Sequence, residues 1–208
     1  MDYRRTKYCP VLIDVKEKKK KVEALVKDEH PYAQDMHTYI SDNSEKFKLD
    51  FLKVYNGKCA YCGVSVDLIK KNEFEIDHFL YEKAPKFKSK KDAGYIENLI
   101  LACHDCNHNK SSFWIEENYF DELYPDGEGI KNTFIRDDNY NICINDEYKE
   151  DQYIKDFYDK IRLGSELHRL DYLLLNIIGL QEQCKDNEEF YAGLGMIKNV
   201  LMVKRNIM

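Results

Sequence analysis

Four of the seven cysteines in this 208-residue chain form two Cys-x-x-Cys pairs, Cys59/Cys62 and Cys103/Cys106. Two such turns can wrap one tetrahedral zinc, each supplying two thiolates about 2.3 Å from the metal. Four thiolates fill that tetrahedron, so the nearby His104 and His108 are expected at the surface rather than on the ion. Cys9, Cys143 and Cys184 are scattered and are expected to be ordinary buried thiols. The 40 residues between the pairs exceed the spacing of about 15–20 in an ordinary zinc ribbon. Something is therefore inserted. The insert contains Glu75-Ile76-Asp77-His78-Phe79 and Asn98-Leu99-Ile100-Leu101-Ala102, and the second pair runs directly into Asn107 and Lys110. His78 is a side chain that can take a proton from water near neutral pH. If its segment is extended, Asp77 points to the opposite face, so only a bend or local distortion would bring both to one site.

Cysteine pairs, Asp-His, Asn-Leu and Cys-Asn-x-x-Lys occur here in an order that resembles the HNH endonucleases, in the subtype whose ββα-metal core is clamped by a four-cysteine zinc. The resemblance covers about Tyr55 to Phe113. It implies a metal-dependent nuclease that hydrolyses phosphodiester bonds of nucleic acid, DNA in preference to RNA. Such hydrolysis needs an activated water and a Lewis acid for the charge developing on the leaving oxygen. By the resemblance His78 is the general base, Asp77 and Asn107 give oxygen ligands to a catalytic cation, and Asn98 ties down the loop that orients the base. Oxygen ligands favour Mg²⁺ or Mn²⁺ at that second site, with the structural Zn²⁺ held by Cys59, Cys62, Cys103 and Cys106. The overall layout is also similar to the small HNH subunits of Septu-type and retron-linked anti-phage systems, which implies an ATPase subunit as partner. The rival from another class is a non-catalytic zinc-ribbon module that binds nucleic acid or protein.

Around this unit the pattern is mainly helical, and the expected fold is α+β. It comprises a helical segment over 1–56, the HNH core over 57–120, and a short β-hairpin with helices over 121–208. Lys16 to Glu29 and Ser44 to Tyr55 read as helices, the second stopped by Asn56-Gly57. Phe74 to Leu80 has β character, and Ser111 to Phe120 looks helical. Phe134 to Ile144 alternates about an Asp137-Asp138-Asn139 turn and predicts a hairpin. Beyond it lie a helix pair broken near Gly164, with His168 on a helix face, and a last helix over Glu188 to Arg205. Trp114 could stack on a base, but its neighbours Phe113, Ile115, Tyr119 and Phe120 place it in the core.

Charge is unevenly spread. The chain carries 32 Lys and Arg against 38 Asp and Glu, and residues 111–160 alone hold 14 acidic and 5 basic side chains. Net negative charge opposes approach to nucleic acid, so a local basic surface or a recruiting partner is needed. Lys83, Lys86, Lys88, Lys90 and Lys91 cluster just after the Asp-His pair and, with Lys110, are the candidate phosphate contacts. The longest apolar stretch, Leu173 to Leu180, is too short to span a bilayer, and Met1 to Val15 lacks the apolar region of a signal peptide. A cytoplasmic protein with no membrane association is expected.

Overall fold

Apolar residues at helical spacing decide the first layer. In the computed structural model, which describes residues 2–6, 12–41 and 46–208, helix α1 (Val15–Glu29) buries Val15, Val22 and Val26 along one stripe. Short α2 (Met36–Ser41) buries Met36 and Ile40, and α3 (Lys46–Val54) buries Phe47, Phe51 and Val54. Asn56 and Gly57 then take φ of 52° and 68°, and a Cβ on Gly57 would stand 2.8 Å from the Val66 side chain. The stop is therefore steric as well as conformational. Ser44 and Cys9 lie outside the described residues.

The central unit is an antiparallel pair, β1 (Phe74–His78) with β2 (Leu99–Cys103), in the register Phe74↔Cys103, Asp77↔Ile100 and His78↔Leu99. Every residue of β2 is buried, which explains its unbroken apolar run. Between the strands sits α4 (Lys90–Ala93), and directly after β2 comes α5 (His104–Lys110). The helix ends because Ser111 turns to φ 49°. Residues 111–116, expected to be helical, are a turn and an extended stretch, and helix resumes only as a 3₁₀ turn at Glu117–Tyr119 and α6 (Phe120–Leu123). The alternation of Phe113 and Ile115 imitates a buried helix face without one.

After α7 (Ile130–Thr133) the predicted hairpin forms as β3 (Phe134–Arg136) paired with β4 (Ile142–Ile144). Helix α8 (Gln152–Lys160) and α9 (Glu166–Gln183) are separated at Gly164, where a Cβ would collide with the Tyr158 hydroxyl. α10 (Glu188–Asn206) folds back along α9. The fold is α+β, with helices around two small sheets. Tyr3, Val22, Phe51, Leu101, Phe134 and Phe157 belong to one hydrophobic cluster, so one core takes side chains from the whole chain up to Leu163. Cys143 and Cys184, expected to be buried, are half-buried. Among the described residues no helix is long and apolar enough to cross a membrane.

Candidate active site

Four sulfurs define the first centre. The thiols of Cys59, Cys62, Cys103 and Cys106 are buried and lie within 4.8 Å of one another. Cys62 Sγ and Cys103 Sγ are 3.8 Å apart, close to the edge of about 3.8 Å that a tetrahedron with 2.3 Å bonds requires. The donor set fits zinc. The backbone builds the cage by pairing the Cys59 amide with the Val64 carbonyl at 2.8 Å, while the amide of Ala60 reaches the Leu101 carbonyl of β2 at 2.8 Å. Gly63, at φ 82°, closes the first turn. The second pair spans the end of β2 and the first turn of α5, so the metal clamp and the hairpin–helix junction are one construction.

Strand alternation divides the polar residues of β1 between two faces. Asp77 faces inward, where its carboxylate accepts hydrogen bonds from Tyr61 Oη at 2.6 Å and Lys110 Nζ at 3.0 Å. The same ammonium donates to the His78 carbonyl at 2.8 Å. Lys110 is wholly buried, which corrects its assignment as a phosphate contact: its charge is spent inside the protein on Asp77. An isolated buried charge is costly, and this pair with its added donors meets that cost.

His78 faces the other way. Its ring stacks on that of His37 from α2, with centroids 4.4 Å apart. His37 Nε2 lies 3.1 Å from the Ile76 carbonyl, which fixes the upper ring against the strand. Buried Nε2 of His78 meets no hydrogen-bond partner among the described residues. Burial, then the neighbouring His37 ring, push His78 down to about 4, so its imidazole is neutral at pH 7. After His78 the strand ends, and Asn98 takes hold of the chain. Its side chain accepts from the Leu80 amide at 2.8 Å and donates to the carbonyls of Leu80 at 3.0 Å and Ala93 at 2.9 Å. The Phe79 amide bonds the Asn98 carbonyl.

Asn107 is not brought to Asp77. Its Nδ2 donates to Glu75 Oε2 at 2.5 Å, and Glu75 Oε1 lies 2.8 Å from His104 Nδ1. Burial opposes ionisation of Glu75, but these hydrogen bonds outweigh it and hold the carboxyl below its usual range. The bond to Glu75 raises His104 in turn. Glu75 and His37 are therefore the residues that the sequence did not assign. Glu75 was reachable by counting two positions back from Asp77 along one strand face. His37, about 40 residues upstream, had no local signal. His168 is buried, with Nδ1 3.0 Å from the Leu163 carbonyl. Lys83, Lys86, Lys88, Lys90 and Lys91 are all exposed on the stretch between the strands, Lys90 paired with Glu82 at 3.0 Å.

A hairpin, a helix packed against it, a cysteine cage at their junction and a histidine at the end of the first strand meet in one unit. The model of the HNH endonuclease family matches residues 59–113, about a quarter of the chain, from the first cysteine of the cage to three residues past the end of α5. No curated protein and no solved structure matches the chain.

Proposed function

We propose that the protein is a metal-dependent HNH endonuclease that hydrolyses phosphodiester bonds of nucleic acid, DNA in preference to RNA. The observation that supports this reading is the overlap of the family match with a ββα unit that carries Asp77 and His78 at the end of its first strand, Asn98 just before its second and Asn107 on its helix. His78 is the general base: it is neutral at pH 7, its ring is held by His37, and its position at the strand end is set by the Asn98 clamp two residues later. Asn98 positions and touches no substrate.

Asp77 and Asn107 are the oxygen donors proposed for Mg²⁺ or Mn²⁺, which when bound supplies charge neutralisation at the leaving oxygen. The two do not converge in this geometry, because Lys110 stands against Asp77 and Glu75 holds Asn107. A shared divalent-ion site would need both the Lys110 ammonium and the Glu75 carboxylate to give way, and a local distortion of β1 that brings Asp77 to the face of His78. The five exposed lysines of 83–91 supply the basic surface that an acidic chain needs at its substrate. Work beside an ATPase subunit, as the effector of an anti-phage complex, rests on the order of the chain's elements and is part of the same proposal. So is a cytoplasmic site of action.

The Lys110–Asp77 bond also favours a second reading, a non-catalytic zinc module that binds nucleic acid or protein. One variant separates them. His78→Ala removes no zinc ligand, and the ring it deletes is half-buried at the strand end, so it should fold, keep zinc and bind nucleic acid. Cleavage in Mg²⁺ or Mn²⁺ should fall by roughly 10²-fold or more. Cleavage equal to the parent's, with zinc retained, would overturn the nuclease assignment of this site.

A further inference from the structure

Trp114 is the sole tryptophan, and the structure takes it out of the core that its neighbours suggested: it is 44% exposed. It stands on a groove of about 470 Å³ whose apolar walls include Leu80, Pro85 and Phe120, a volume within the range of about 300–1,000 Å³ usual for ligand sites. This groove adjoins the candidate active site through the chain itself. Leu80 is the residue whose amide Asn98 holds, two positions after His78, and Phe79 packs edge-on against Phe120 at 5.4 Å.

The support under Trp114 is rigid. Tyr153 Oη donates to the Trp114 carbonyl and accepts from the Glu116 amide, and the Tyr153 ring stacks on Tyr119 at 4.3 Å. Two successive peptide units are thus fixed in an extended stretch that has no ladder of its own. An exposed indole on a fixed backbone loses little freedom when a flat partner stacks on it.

We propose that this groove is a subsite for one unpaired nucleobase of the strand whose phosphodiester lies at His78, with the base stacked on Trp114. The inference rests on the nuclease reading for that strand's position, while the groove itself does not. The charges at the groove sort the strand's parts. Lys86 can meet a phosphate, whereas Glu117 and Asp121 repel one but can accept hydrogen bonds from an exocyclic amine. The occupant is therefore a base that carries such an amine, rather than backbone. A paired base has its face covered by its neighbours, so the subsite takes single strands or frayed ends.

The lone tryptophan reports on its own site. Full-length protein without added Mg²⁺ or Mn²⁺ is titrated with a ten-residue oligodeoxycytidine, oligothymidine or abasic strand. Trp114 fluorescence should be quenched by the cytidine strand, which should bind about 5- to 150-fold more tightly than the abasic strand, the factor that one stacked base supplies. The thymidine strand, which offers a carbonyl where cytosine has its amine, should bind more weakly than the cytidine strand. In Trp114→Ala the cytidine strand's advantage, read by anisotropy of a labelled strand, should vanish, and Trp114→Phe should restore part of it. Equal affinity for intact and abasic strands, equal affinity for cytidine and thymidine strands, or an unchanged advantage in Trp114→Ala with zinc retained would overturn the subsite. If His78→Ala cuts like the parent while the Trp114 discrimination persists, the nuclease assignment alone falls. If His78→Ala is inactive and the discrimination is absent, the subsite alone falls.

Discussion

The clamped unit at residues 59–113 and the α9–α10 helical hairpin differ in where they place polar and apolar groups. In the first, Asp77, Asn98 and Lys110 are buried and bonded, and all of β2 is covered. In the second, Met196, Val200 and Val203 stand open along one side of α10, and Val200 is 69% exposed. Leu170, Leu174 and Leu194 of that hairpin pack outside the main core cluster. Buried polar networks are costly unless complete, and they fix one arrangement. The clamped unit is held to one geometry, whereas the hairpin is held mainly by its own two helices.

Removing the metal cage should break this contrast most. Four thiolates come from two turns 40 residues apart, so metal binding and core folding are coupled. Cys59→Ser should lose zinc and fold together, read by metal analysis and circular dichroism, and the protein should be insoluble; Cys184→Ser should be mild. Next in size is Asn98→Ala. It strands the buried Leu80 amide and two carbonyls, and should cost about 3 kcal/mol in denaturant unfolding.

The pH profile sharpens the comparison from the site itself. A base must be neutral to accept a proton, and burial with the His37 ring holds His78 at about 4. The acid limb of kcat/KM should therefore lie well below 6.5, with activity lost as pH falls toward 4. His37→Ala removes one depressing cause and should move the limb upward; a limb near 6.5 in the parent would contradict the site's geometry. Smallest of all, Val200→Ser should shift stability by no more than about 0.5 kcal/mol. Leu101→Ala, in the fully buried strand, should cost about 2–5 kcal/mol.

Residue type and spacing made the sulfur cage and the strand–strand–helix order legible, because ligand chemistry leaves few alternatives for two Cys-x-x-Cys turns. The opposite facing of Asp77 and His78 followed from strand alternation alone. What sequence could not supply were pairings across elements. Lys110 turns inward because α5 lies on the Asp77 face, and no local pattern says so. Asn107 meets Glu75 rather than Asp77 for the same reason. Ser111–Glu116 misled because apolar residues packed from an extended stretch against Tyr153 have nearly the spacing of a helix face.

Arg4 donates to the carbonyls of Ala60 and Pro125 at 2.6 and 2.8 Å, and two buried groups, Lys19 and Tyr55, reach Asp126 at 2.5 and 2.9 Å. These contacts set an order of events during synthesis. A nascent chain that has delivered every residue of the cysteine cage still lacks the Pro125 carbonyl that completes the contacts of Arg4 and the Asp126 carboxylate that pairs with buried Lys19, until the Pro125-Asp126 turn leaves the ribosome. The clamped unit is completed late, well after its own residues have been made, and a truncated product ending before residue 125 is left without the turn that locks it.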